Sequence, residues 1–204
     1  MYTTCSSCTV HTCEKPENGS YPKNCPVLQK ERMAEILKEY ESFREFFSVC
    51  ARIEAEGYCQ WPRLKETILL CERMGYKRIG LAFCAGFRSE AKTVENLIRS
   101  KGLEVVSAVC KVGGIDKEDF GMPADHKVHP GGYEPVCNPI AQAELLNYAE
   151  TEFNIVLGLC VGHDSLFLKH AKALSTVLVA KDRVLAHNPC GAIYTANGYY
   201  KNKL

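Results

Sequence analysis

The chain has 204 residues, enough for one sizeable hydrophobic core with a small appendage. Its formal net charge is +1, which gives no electrostatic case for nucleic acid or a membrane surface as partner. No apolar run approaches a membrane span, and the opening MYTTCSSCTVHTC has neither the basic nor the apolar part of a signal peptide, so the expected location is cytoplasmic. Twelve cysteines is a high count. Disulfide scaffolds are usually small, loop-rich and exported, so in a reducing compartment these thiols point to metal or redox chemistry instead. They also suit an oxygen-poor cell.

Residues 1–26 read as a cysteine-rich head. Cys5, Cys8, Cys13 and Cys25 fall as C-x2-C-x4-C-x11-C and are followed by Pro26. Four thiolates at such spacing can wrap one zinc ion or one 4Fe–4S cubane. The intervening EKPENGSYPKN is rich in turn residues and cannot build a core, so metal would supply the folding energy here. His11 is a substitute donor.

Residues 27–204 read as an α/β domain that opens with two helices. Val27, Met33, Ile36, Leu37, Tyr40, Phe43, Phe46, Phe47 and Ile53 keep a helical period, predicting one long helix over Val27 to Glu56. A second helix is expected over Arg63 to Met74, ending at Gly75. Cys50 reads as core, and Cys59 and Cys71 as structural.

Three apolar runs then read as buried strands: Arg78–Phe83, Glu104–Val109 and Ile155–Leu159. Each is followed at once by a cysteine: Cys84, Cys110 and Cys160. A fourth strand is expected at Thr176–Ala180, and Arg183–Ala186 is expected to return as an antiparallel edge strand. Helices are expected at Ser89 to Ser100, Ile140 to Glu150 and Ser165 to Lys172. The expected architecture is a doubly wound parallel sheet of about four strands in order 2-1-3-4.

Ligands of such sheets collect outside the carboxyl ends of the strands. Cys84, Cys110 and Cys160 should therefore converge on one crevice, with Cys137 joining at the start of the helix capped by Asn138. Soft ligands spread this widely suit a 4Fe–4S cluster, and zinc is the alternative. The excursion after Gly113 and Gly114, with Asp116, Asp119, Asp125, His126 and His129, reads mostly as a solvated loop over the strand ends. His163 could act as a general acid or base there, with Asp164 setting its tautomer or capping the next helix. Lys181, Arg183 and His187 read either as the far side of the crevice or as the polar end of a hairpin. There is no dinucleotide fingerprint, P-loop or nucleophile elbow.

At these motifs the chain resembles an uncharacterised family of cysteine-rich proteins of anaerobic microbes, commonly labelled metal-binding. The resemblance rests on Asn24-Cys25-Pro26, Gly80-Leu81-Ala82-Phe83-Cys84 and Cys110-Lys111-Val112-Gly113-Gly114. It continues through Cys137-Asn138-Pro139-Ile140-Ala141-Gln142-Ala143, Leu159-Cys160-Val161-Gly162-His163-Asp164-Ser165-Leu166-Phe167, Lys181-Asp182-Arg183-Val184-Leu185 and His187-Asn188-Pro189. It implies metal binding and supplies no reaction. Cys190 stands where that pattern leads one to expect a small apolar residue.

The sequence therefore predicts two cysteine-ligated centres carrying one or two 4Fe–4S clusters. Its function would be electron transfer, or redox or sulfur chemistry, with a redox partner or a small-molecule substrate. Two cubanes within one small domain would lie within electron-transfer reach. A zinc protein with a ligand-binding or hydrolytic crevice is the second expectation, and a metal or cluster carrier the third.

Overall fold

The computed structural model describes residues 2–204 and divides the chain into two compact units, Met1–Ala55 and Glu56–Leu204. In the first unit the head is followed by α1 (Lys30–Glu39) and most of α2 (Arg44–Gly57). The single long helix expected from the periodicity is thus two helices, separated by a 3-10 turn over Tyr40–Phe43. The Ser42 hydroxyl donates to the Glu39 carbonyl at 3.0 Å, a local bond that competes with the α-helical ladder. This unit has almost no interior: of its described residues only Thr12 and Ile53 are buried. Leu37, Tyr40, Phe43 and Phe47 of the expected apolar stripe are exposed.

The second unit carries α3 (Arg63–Arg73) and then the sheet, β1 (Arg78–Phe83), β2 (Glu104–Val109), β3 (Phe153–Leu157) and β4 (Leu174–Val179). All neighbours are parallel and the order is β2-β1-β3-β4, as the alternation of apolar runs and helical patterns predicts. β1 and β3 are central and buried on both faces, which explains their continuous apolar sequence. β3 begins two residues earlier than expected. Its register pairs Ile79 with Phe153, and Gly158, at φ +65°, turns the chain out of the ladder before Leu159.

The crossover helix α4 (Arg88–Arg99) buries Ala91, Val94 and Ile98 and packs on β1 and β2. The helix α5 (Pro139–Tyr148) also packs on β1 and β2, and α6 (His163–His170) lies against α5. The core includes Leu81, Leu146, Ile155 and Phe167, each essentially without exposure. Burying one such side chain stabilises by about 1.5–3 kcal/mol.

The expected antiparallel edge strand is not formed. Residues 183–187 make turns, because the Asp182 carboxylate accepts the amides of Val184 and Leu185, and Ala186 and His187 adopt left-handed φ of 50° and 63°. A run pinned in this way cannot extend. A short helix, α7 (Cys190–Tyr194), follows. No helix among the described residues is long and apolar enough to cross a membrane.

Candidate metal centres

Parallel pairing brings the carboxyl ends of β1, β2 and β3 to one edge of the sheet. Cys84 follows β1 directly, Cys110 follows β2, and Cys160 lies three residues past β3. Cys137 is brought alongside by its chain neighbour, because the Asn138 amide donates to the Cys110 carbonyl at 2.8 Å. Asn138 then caps α5, its side chain accepting the Ala141 amide at 3.0 Å. All four cysteines line one cavity of about 580 Å³, with His163, Lys111 and Arg183 around them.

Each thiol of this crevice has a hydrogen-bond donor. Lys181 Nζ lies 2.6 Å from Cys84 Sγ, and Arg183 lies 3.1 Å from Cys160 Sγ. The Ala85 amide lies 3.3 Å from Cys110 Sγ, and Lys111 bonds to the Cys137 side chain. The thiols also meet one another, with Cys137 Sγ and Cys110 Sγ 4.0 Å apart. Cys110 keeps its proton, since it sits between the sulfurs of Cys137 and Cys84, and burial favours the neutral form. Its thiol in turn holds Cys84 and Cys137 well below their ordinary range, helped by Lys181 at Cys84 and Lys111 at Cys137, against the opposing effect of burial. Ionised thiols are the form that binds metal.

Two features of this wall go beyond the expectations from the sequence. Gln142, without exposure, donates to the carbonyls of Phe83 at 3.2 Å and Ala108 at 2.7 Å, just ahead of Cys84 and Cys110. It clamps two strand ends and so fixes the spacing of two thiols. The second feature is the 111–136 excursion. It is tied down by an isolated antiparallel bridge between Asp116 and Pro135 and by the buried Lys127, which pairs with Asp116 at 2.8 Å and Glu118 at 2.7 Å. Asp116 is thus a structural anchor, while Asp119, Asp125 and His129 are solvated. His126, Phe120 and Met122 from this loop complete the cavity wall.

His163 opens α6 and lines the cavity, whereas Asp164 does not. The cap position belongs to Gly162, at φ +79°, and Asp164 sits inside the first turn with its carboxylate on the Ser165 amide. Lys181 and Arg183 reach the crevice thiols, and His187 packs at a tilt against Phe87 with ring centroids 4.5 Å apart. Cys190 is exposed and stands outside the crevice lining.

In the head, Cys5, Cys8, Cys13 and Cys25 line one cavity of about 510 Å³. The backbone amides of His11 and Val10 hold the Cys8 thiol below its ordinary range. Thr12 is buried, and its hydroxyl has no partner among the described residues. Among the described residues no three His, Cys, Asp or Glu side chains already stand at the spacing for a single ion. Of the remaining thiols, Cys50 is half-buried and Cys59 exposed, while burial pushes the Cys71 thiol up to about 12.

A family described as a protein of unknown function, DUF1847, matches residues 25–178. The chain is also 45% identical over 202 residues to an uncharacterized protein of Methanocaldococcus jannaschii, covering 98% of this chain and 97% of that one. The chain belongs to the DUF1847 family. The matched stretch begins at Cys25 and takes in all four crevice cysteines, so the crevice lies within the DUF1847 region, while Cys5, Cys8 and Cys13 precede it. No solved structure matches the chain.

Proposed function

We propose that the protein is a metalloprotein with two cysteine-ligated centres, and that the crevice centre is an iron–sulfur cluster serving electron transfer or redox chemistry on a small molecule. The observation that carries this reading is the shared cavity of Cys84, Cys110, Cys137 and Cys160, four thiols drawn from four separate segments. The donor set fits: it is all sulfur, and soft thiolates select iron–sulfur clusters, zinc or Cu(I) over hard cations. The same test applied to the head gives the same answer, with Cys5, Cys8, Cys13 and Cys25 as its donors.

Cys84, Cys110, Cys137 and Cys160 would hold the crevice group, which supplies one-electron chemistry when bound. The chain's own part is to set Lys181, Arg183 and Lys111 beside those sulfurs, which favours the ionised form of Cys84 and Cys137, and to set the strand-end spacing with Gln142. Phe120, Met122 and Val136 shield the site on the loop side. His163 is the one imidazole at a helix start in the lining, placed to give or take a proton from a bound molecule.

A zinc centre is the second reading, and one distance favours it. Zinc–sulfur bonds of about 2.3 Å in a tetrahedron put neighbouring sulfurs about 3.8 Å apart. The Cys110–Cys137 separation of 4.0 Å is close to that. The crevice would then bind or hydrolyse a ligand without redox change.

The test is anaerobic purification, then a visible spectrum with counts of iron, zinc and acid-labile sulfide. A brown protein with about eight irons and eight sulfides per chain supports two cubanes. Zinc alone in a colourless protein overturns the iron–sulfur reading. The variant Cys84→Ser should lower crevice metal and leave the sheet folded. Unchanged metal content in that variant would remove the crevice from consideration.

A further inference from the structure

We propose that Lys111, Lys181 and Arg183 are a built counter-charge for a multiply anionic thiolate centre in the crevice, and that they make this centre take up an electron before the head centre does. The inference rests on the iron–sulfur reading above and adds the order in which the two centres are reduced.

The three cations share one unusual property. None forms an ion pair with a carboxylate among the described residues, although each stands beside a sulfur. The local sequence explains how two of them stay free. In Lys181-Asp182-Arg183 the intervening Asp182 would be the obvious partner. Its carboxylate is instead spent on the amides of Val184 and Leu185, at 2.9 and 2.8 Å. The Asp182 amide is held by His187 Nδ1 at 3.2 Å, and the His187 amide donates to the Asp182 carbonyl at 2.9 Å. The turn is closed from both ends, and it presents Lys181 to Cys84 and Arg183 to Cys160. Lys111 is anchored by the Pro135 carbonyl and serves Cys137. The remaining lysine of the lining, Lys117, is neutralised by Glu134 at 2.6 Å. The crevice therefore sets three positive charges with no carboxylate partner among the described residues beside its sulfurs.

The head is the opposite case. Its cavity lining contains no lysine and no arginine, and it contains Glu14. Cys8 is supported by neutral backbone amides, and Glu14 opposes its ionisation. Adding an electron makes a centre more negative, so fixed cations in contact with the ligands favour reduction and a nearby carboxylate disfavours it. Water around the exposed Cys5 and Cys13 favours reduction of the head as well. It does so as a screening solvent, whereas three full charges at contact distance act without reorganisation. The electron balance is simple. A one-electron donor, such as dithionite in the test (oxidised to sulfite) or a reduced low-potential electron carrier in the cell, is oxidised. The crevice centre gains that electron, and no bond there is made or broken.

The experiment is a mediated redox titration of the anaerobically purified full chain, followed by electron paramagnetic resonance. Two one-electron waves are expected. Cys84→Ser should abolish the wave at higher potential, and Cys8→Ser the one at lower potential. Lys181→Met and Arg183→Met should each move the higher wave to more negative potential and leave the lower wave in place, with a larger shift in the double variant. The ordering is overturned if Cys8→Ser removes the higher wave, or if the charge-removing variants move neither wave. Metal analysis of the same samples separates the two failures. If zinc replaces iron, the iron–sulfur reading and the ordering fall together. The counter-charge is then read from zinc release to a chelator. Faster release from both Met variants supports it, and unchanged release overturns it.

Discussion

Several single residues in this protein have no freedom to change, for reasons visible in their immediate surroundings. A Cβ on Gly80 would stand 2.1 Å from Asn154 Oδ1 and 2.8 Å from Leu146 Cδ1, both in the packed layer between β1 and α5. Gly80→Ala should therefore cost about 1–3 kcal/mol of overpacking, read as a lower urea midpoint. Gln142 is a different constraint. Its Nε2 ties two strand ends, while its Oε1 has no partner among the described residues. Gln142→Leu should destabilise the fold by about 1–3 kcal/mol, since two buried carbonyls lose a donor. It should also lower metal retention in the crevice at temperatures where the circular dichroism is still native. Loss of stability with unchanged retention would mean that Gln142 only packs. Asp182→Ala should act like the loss of both neighbouring cations, because it frees the turn that aims them. Thiol alkylation of the native chain followed by mass spectrometry should find Cys59 and Cys190 modified and Cys71 protected, in line with exposure and with the raised Cys71 thiol.

The elements divide into those that a linear pattern specifies and those that it does not. β1, β2 and β3 were legible because central parallel strands are apolar throughout and short. The cysteine after each is legible for the same reason, as a change of chemistry at a strand end. The break between α1 and α2 was not, because Tyr40, Phe43 and Phe47 continue the helical period although they face solvent. Arg183–Ala186 reads as a strand because Arg183-Val184-Leu185-Ala186 has strand-like composition, and composition does not register that Asp182 captures two amides. The polar residues of the 111–136 loop read as solvated, yet the loop is held by carboxylates whose charge can be tested. Lys127, with the amides of Glu118 and Glu134, holds the Asp116 carboxyl down to about 2, and Lys117 chiefly holds Glu134 to about 2. Both groups ionise more readily in the folded chain than at their ordinary values of 3.8 and 4.5. Their support is complete above those values and is lost as pH falls toward about 2. Backbone amide signals of Glu118, Val128 and Glu134 should therefore change in acid before those of β3. Simultaneous loss of loop and sheet would show that the loop has no separate acid transition.

For the whole molecule, the two units differ in what holds them. Glu56–Leu204 has a conventional apolar core, whereas among the described residues of the first unit only Thr12 and Ile53 are buried. Segments with so little apolar burial cannot offset chain entropy alone. Chelation should therefore make residues 2–26 sensitive to protease while a fragment spanning the sheet persists on a gel. Equal resistance with and without chelator would mean that the head is held by something other than metal. The convergence of Cys84, Cys110 and Cys160 can be argued from the sequence because it follows from strand order, and Cys137 joins them through the Asn138 amide on the Cys110 carbonyl. The charges around them are legible only as one of two alternatives, because the turn that carries Lys181 and Arg183 to their sulfurs also has the composition of a polar hairpin end.

The pairing of β1 has a consequence for synthesis on the ribosome. Ile79 meets Val105 on one side and Phe153 on the other, so one edge of β1 waits for a partner made long after it. Nascent chains fold as their segments emerge, and unpaired edges are vulnerable until covered. Cys84 and Cys110 lie on neighbouring strands made in succession, while Cys160 and the arginine beside it, Arg183, follow only after a further 50 residues or more. If the crevice holds a soft ion, as proposed, one that enters early would meet a half-built pocket with two sulfurs and an open strand edge. Late loading, after residue 183 has emerged, is the order that this topology rewards.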